Sequence, residues 1–232
     1  MDFREEVFKL DVKLTSTMEE QFKEYFAFLV EKNQVMNLTA ITEEEEVYRK
    51  HFLDSLELLQ VLKDMPKYTL CDVGSGAGFP SIPLAIVQDQ VEVTIIDALN
   101  KRIEFLKELV QKLNVNNVAA IHSRAEDYAK IKRESFDVVT ARAVARLNVL
   151  SEFCLPLTKV GGLFLAMKGS SGEEELRESK KAIELLGGSI LKTISFTLPD
   201  EQEQRQIIVI KKIKPTPAKY PRSFSKIKER AL

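Results

Sequence analysis

Along the first 65 residues apolar side chains recur at helical spacing; beyond them the chain turns to short β-branched runs separated by helical stretches. After a charged lead-in, Phe22, Tyr25, Phe26, Leu29 and Val30 share one face of a helix for which Thr17 is the expected N-cap. Residues 33–40 read as a connection, and Thr42 with Glu45 fits a capping box. Residues 51–62 repeat the helical pattern through Phe52, Leu53, Leu56, Leu59 and Leu62. A helical extension over 1–65 is therefore expected.

The β-branched runs cover residues 69–73, 91–96, 118–121, 136–140 and 162–167, with helical stretches between them at 80–87, 101–113, 124–130 and 147–157. This alternation is the mark of βαβ units and a parallel sheet. A further helix over 173–186 should end at Gly187 and Gly188, where a left-handed cap is easiest. Strands at 189–197 and 206–213, joined through Pro199-Asp200, then predict an antiparallel pair at one sheet edge. The fold class is α/β: a mostly parallel seven-stranded sheet with helices on both faces, over 66–213, followed by a basic tail over 214–232.

Composition narrows the function classes. With 232 residues, 44% hydrophobic and 30% charged, the chain can bury a substantial core. No run of eighteen apolar residues occurs and the start, MDFREEVFKLDVK, lacks the apolar segment of a secretory signal. A cytoplasmic protein without a membrane partner is expected, and no coiled-coil or long apolar stripe calls for more than a monomer. Cys71 and Cys154 are far apart and without His or Cys at ligand spacing, so they read as core residues and no metal site is expected. The net charge of −1 conceals an asymmetry: the last 22 residues hold eight basic side chains against Glu229 alone, which is +7 there and −8 elsewhere. Such a tail suits contact with phosphate.

The segment Cys71-Asp72-Val73-Gly74-Ser75-Gly76-Ala77-Gly78-Phe79-Pro80 falls between the first strand and its helix. Glycines there let the backbone turn sharply and approach a ligand at the carboxyl ends of the strands. The spacing of Gly74, Gly76 and Gly78 is G-x-G-x-G, not the dinucleotide fingerprint G-x-G-x-x-G, and with Asp72 ahead of it suits a nucleoside cofactor with an amino-acid end. Asp97, 19 residues after Gly78 at the end of the second strand, can accept both ribose hydroxyls. Ser123 to Asp127, after the third strand, could address an adenine edge. A nicotinamide-dependent oxidoreductase shares the sheet and the ribose carboxylate, and the loop spacing argues against it.

Together these three sites resemble the class I S-adenosylmethionine-dependent methyltransferases, with their Rossmann-like sheet, from about Tyr68 to Ile213. Four segments narrow the resemblance: Met36-Asn37-Leu38-Thr39-Ala40-Ile41-Thr42, His51-Phe52-Leu53-Asp54-Ser55-Leu56, the glycine segment from Asp72 to Pro80, and Thr140-Ala141-Arg142-Ala143-Val144-Ala145. In these the chain is similar to the bacterial RsmG family, also called GidB. That resemblance implies methyl transfer from S-adenosyl-L-methionine to N7 of a guanine in 16S ribosomal RNA, on RNA or a small-subunit precursor and not on DNA. It also implies cofactor contacts at Gly74, Phe79, Ala125, Glu126 and Arg142, with Asp97 at the ribose. The family commonly closes with Tyr-Pro-Arg and a Gly- and Pro-containing basic run; here Tyr220-Pro221-Arg222 is followed by Ser223-Phe224-Ser225-Lys226.

Guanine N7 carries an in-plane lone pair and no proton, so no general base is needed, and the acceptor site has to position the base. Arg142, just past the fourth strand, can donate to guanine O6 and leave N7 free, and Arg146 is a second candidate for acceptor or phosphate. Lys168, ending the fifth strand, is a candidate phosphate contact. His51 and Asp54 at i and i+3, with Ser55 at i+4 and with Asn37, are expected to shape the pocket from the extension. Two other readings stay open: a methyltransferase of another substrate, and a non-catalytic RNA-binding module.

Overall fold

A computed structural model describes all residues from Met1 to Leu232. It opens with a short helix where the hydrophobic pattern predicts none: α1 (Phe3–Phe8), started by the Asp2 side chain, which accepts from the Glu5 amide. The next helix, α2 (Ser16–Met36), is capped by Thr15 and not by the predicted Thr17, because Thr15 is extended and its Oγ1 takes the Met18 N–H at 3.2 Å. It runs through the first part of the predicted connection and stops at Asn37, in the left-handed conformation with φ 51°. Thr42 forms no cap either: α3 (Glu44–Val47) starts after Glu43 with no side-chain cap bond.

The predicted helix over 51–62 is instead a broken one. One wide π-helical turn (Tyr48–Leu53) leads into α4 (Asp54–Leu56) and α5 (Leu59–Leu62). An extra residue in a turn re-aims side chains, and such turns recur at functional sites. Here Phe52, Leu53 and Leu56 stay in the core while Lys50, His51 and Asp54 line a cavity.

The α/β part follows the prediction closely: β1 (Tyr68–Val73), α6 (Ser81–Val87), β2 (Val91–Asp97), α7 (Asn100–Lys112), β3 (Val118–His122), α8 (Ala125–Ile131), β4 (Phe136–Arg142), α9 (Leu147–Cys154), β5 (Thr158–Lys168), α10 (Gly172–Leu185), β6 (Gly188–Thr197) and β7 (Gln204–Lys212). Strand order is β3-β2-β1-β4-β5-β7-β6, the first five strands parallel and β7 antiparallel to both its neighbours. Connections leave in opposite directions from β1 and β4, which opens a crevice at their carboxyl ends. β5 begins four residues before the predicted start, and its register against β4 slips between Phe136 and Val138. Gly187 takes the predicted left-handed position, φ 91°.

Each sheet face carries its own core. On one face α2, α6, α7 and the broken helix pack with Leu70, Val93 and Val138, so the N-terminal helices share the sheet's core. On the other, α8, α9 and α10 cover Cys71, Val139 and Phe164, and Cys154 is buried among them. The last residues return to this second face. Arg133 donates to the carbonyls of Thr216, Pro217 and Tyr220, and α11 (Phe224–Glu229) buries Ile227. Two of the tail's cations are consumed in this docking: Lys212 is fully buried against Glu134 at 3.0 Å, and Arg222 meets the wholly buried Glu152 at 2.6 Å. Lys214, Lys219, Lys226, Lys228 and Arg230 remain exposed.

Candidate active site

Two cavities meet at the carboxyl ends of the strands, in the crevice that the strand order opens. The first, about 410 Å³, lies beyond β1, β2 and β3 and is lined by Gly74, Asp97, Arg124, Ala125 and Glu126 among others. Its second neighbour, about 550 Å³, lies beyond β4 and β5 and is closed by the broken helix and by β6 and β7. Ala143 and Val144 line both and so form the partition between them. Ala143 holds φ 55°, a conformation disfavoured for a residue with a Cβ. The partition is therefore a constrained turn.

In the first cavity Asp97 is 3% exposed, with Oδ1 accepting from the Leu99 amide at 2.9 Å and Oδ2 3.4 Å from Arg102. These bonds fix the carboxylate and leave lone pairs for a ribose. Gly74 turns with φ 74°, its amide bonded to the Ile96 carbonyl at 2.8 Å. Gly76 and Gly78 are also left-handed, yet neither lines this cavity. Tyr25 reaches from α2 to hold the loop, donating to the Ala77 carbonyl at 2.6 Å. Beneath the loop, Asp72 Oδ1 and Ser75 Oγ are buried without a hydrogen-bond partner. An amino-acid end entering along the loop would supply polar partners there, so a nucleoside with such an end fits the residues present.

Burial pushes the Asp72 carboxyl up to about 7, against hydrogen bonds from Ser81 and the Arg142 cation. In the unfolded chain the same group ionises near 4. Between about pH 4 and pH 7 the folded state thus keeps a proton that the unfolded state has lost, and stability falls as pH rises through that window. Asp72→Asn should remove this slope. We expect the cofactor-free variant to melt above the parent protein at pH 8 and to lose that advantage towards pH 4; an equal difference at both ends would contradict the assignment.

The second cavity is built around Asp54, 3% exposed, between two guanidinium groups: Arg142 Nη1 at 2.6 Å and Arg205 Nη1 at 3.4 Å. The Arg142 guanidinium lies 4.9 Å over the Phe79 ring, and His51 stacks on the same ring at 4.6 Å. Phe79 is therefore a floor under both side chains and lines neither cavity. His51 Nε2 is 2.7 Å from Thr39 Oγ1; burial, helped by the Arg142 cation, pushes its pKa down to about 4. It is neutral at neutral pH, and with so low a pKa it is a weak proton acceptor there.

Not every predicted residue joins this cluster. Arg142 lines the second cavity and not the first, where the resemblance would put it. Arg146 borders the second cavity but is paired with Glu178 on the surface. Lys168 gives its ammonium to Glu175 at 2.7 Å and to the Ala145 carbonyl at 2.6 Å, which braces the turn from Ala143 to Arg146. Ser55 is buried and donates to the His51 carbonyl at 2.5 Å, a bond within the helix. Asn37 is exposed at the end of α2 and lines neither cavity.

Sequence reasoning missed Arg205 and Gln206, which enter from β7, more than 60 residues after Arg142. Gln206 is 2% exposed and its Oε1 has no partner. Nothing local marks them, because β7 reads simply as a closing strand. Phe224 was missed for the same reason and lines the first cavity.

The GidB family profile, described as rRNA small subunit methyltransferase G, matches residues 18–208. The chain is 54% identical over 221 residues to ribosomal RNA small subunit methyltransferase G of Lactobacillus helveticus, covering 94% of this chain and 92% of that protein. Its identity to the Staphylococcus aureus (strain Newman) protein of the same name is also 54%, over 213 residues, 91% of this chain and 89% of the relative. Among solved structures the fold is shared with TYW2 of M. jannaschii in complex with AdoMet (TM-score 0.53, 16% identity, 65% of this chain and 72% of that one). It is shared too with a variant of the 16S rRNA (adenine(1408)-N(1))-methyltransferase from Catenulisporales acidiphilia with its cosubstrate SAM (TM-score 0.53, 15% identity, 65% and 87%). At such identities these two likenesses speak for the fold alone. The sequence relatives span nearly the whole chain, and the protein belongs to the GidB family of rRNA small subunit methyltransferases G.

Proposed function

We propose that the protein transfers a methyl group from S-adenosylmethionine to N7 of a guanine in small-subunit ribosomal RNA, acting as a cytoplasmic monomer. The observation that carries this reading is the pair of cavities joined at Ala143 and Val144, one suited to a nucleoside and the other presenting donors and an unpaired amide. When bound, the cofactor supplies an electrophilic methyl group on a sulfonium. Asp97 would hold the ribose, and Ala125 and Glu126 would border the adenine.

The chain's own contribution is orientation. In-line displacement needs the acceptor lone pair, carbon and sulfur collinear, and holding them so lowers the barrier without acid or base chemistry. Arg142, fixed by Asp54 and by stacking on Phe79, would donate to guanine O6 and leave the adjacent N7 open. His51, a weak base with its lowered pKa and held against Thr39 and Phe79, serves as a wall, since N7 has no proton for it to take. With S-adenosylmethionine bound, the sulfonium would supply the methyl group and keep the electron pair of the bond it gives up, so Arg142 and its neighbours would need only to hold the base. No proton is released from N7.

Asp97→Ala should weaken cofactor binding by about 1–3 kcal/mol, the scale of hydrogen bonds to a charged group. An unchanged dissociation constant in calorimetry would remove Asp97 from the ribose site. The test of the function itself is genetic. Deleting the gene should eliminate N7-methylguanine from small-subunit RNA at one position, and a plasmid copy should restore it; persistence of the modification in the deletion strain would refute the proposal.

A further inference from the structure

We propose that Phe224, carried by the C-terminal helix α11, is a wall of the cofactor cavity and contacts the adenosine end of S-adenosylmethionine. The inference rests on the cofactor reading above and extends it to a segment that the sequence assigned to RNA alone.

Phe224 lines the cavity that also holds Asp97, Arg124 and Ala125. Phe224 is 41% exposed, while Ile227 on the same helix is buried. The Arg124 guanidinium lies 4.5 Å over one face, and the Phe153 ring lies nearly parallel at 6.5 Å and 14°. An aromatic ring that is partly uncovered and lines the same cavity as Asp97 offers a planar base the edge or face contact that such rings favour.

The placement is held from several sides. A six-residue helix has no stability by itself, so α11 exists only through docking. Ile227, 1% exposed, anchors it in the second core, and the Arg222–Glu152 pair fixes the chain just ahead of it. Lys226 and Lys228 stay exposed on the same helix, so the residue facing the cofactor and those able to face phosphate are separate side chains.

Calorimetric titration of the full-length protein with S-adenosylmethionine and with S-adenosylhomocysteine tests this. Phe224→Ala should raise both dissociation constants by about three- to tenfold, the range of one aromatic contact, and Phe224→Tyr should bind like the parent protein. Replacing Lys226, Lys228 and Arg230 together by Gln should leave both constants unchanged. Asp97→Ala serves as the reference. If Asp97→Ala weakens binding and Phe224→Ala does not, the wall is disproved while the cofactor site stands. If neither weakens it, both fall. Loss of affinity for S-adenosylmethionine alone would move Phe224 to the sulfonium end and overturn the adenosine assignment.

Discussion

Gly74→Val is expected to abolish measurable cofactor binding and to leave the protein folded. Gly74 has φ 74°, a region costing an L-residue about 1–2 kcal/mol and a β-branched one more. A Cβ there would lie 2.9 Å from Val144 Cγ2, so the new side chain presses on the partition between the cavities. Relieving that contact moves the turn, the Gly74 amide, or both, and each borders the first cavity. We expect affinity to fall by about two orders of magnitude or more, each tenfold corresponding to about 1.4 kcal/mol.

The neighbouring glycines make the prediction discriminating. A Cβ on Gly76 meets nothing within 4 Å, so Gly76→Ala should have the mildest effect, limited to its positive φ of 62°. On Gly78 a Cβ would come within 2.7 Å of both Ile82 Cδ1 and the Tyr25 hydroxyl, which belong to the core beneath the loop. Gly78→Ala should therefore lower the melting temperature first and affinity through it. Calorimetry and thermal melts on the three variants would contradict the account if Gly76 proved the most sensitive to binding.

Arg142→Ala is expected to lower the rate of methyl transfer by about two to three orders of magnitude, the usual effect of losing a positioned donor or misplacing a reactant by an ångström. Cofactor affinity should change little, because Arg142 lines only the acceptor cavity. The substitution also leaves Asp54, 3% exposed, with Arg205 at 3.4 Å as its remaining ionic partner. Breaking such a pair is destabilising, since one buried charge stays behind. The double variant Arg142→Ala with Asp54→Ala should thus recover melting temperature without recovering activity. Arg142→Lys should not rescue either, because an ammonium lacks the planar fork that spans Asp54 and a base and stacks on Phe79. Normal turnover in Arg142→Ala would remove it from the acceptor site.

What the sequence made legible was what depends on local pattern. Five β-branched runs, the closing strand pair and the glycine segment each specify their element by periodicity or turn chemistry, whereas the strand order, with β4 placed beside β1, is set by tertiary packing and is seen only in the fold. Asp97 could be singled out because a strand-end carboxylate at a fixed distance from the loop is a local pattern, and it lines the first cavity. Caps were less so: Thr15 and Thr17 are both reasonable, and only the extended backbone at Thr15 decides between them. The π-helical turn was invisible, since over six residues its period differs too little from that of an α-helix to move the apolar pattern. Charges misled where pairing is tertiary. Lys168 reads as a free strand end until Glu175 is seen against it, and Lys212 and Arg222 count as tail charge until Glu134 and Glu152 are found to hold them. Arg205, Gln206 and Phe224 reach the site only through the return of the chain, which no window of sequence contains.

The most direct test of the central claim is transfer of a radiolabelled methyl group from S-adenosylmethionine to purified small-subunit particles by the isolated protein, followed by digestion and identification of the labelled nucleoside by mass. The account predicts label in N7-methylguanosine alone, at one position, and an initial rate lower by about a hundredfold or more when Arg142→Ala is used under the same conditions. Label in a different nucleoside, or an active wild-type preparation that binds the cofactor yet transfers nothing to the particle, would contradict it.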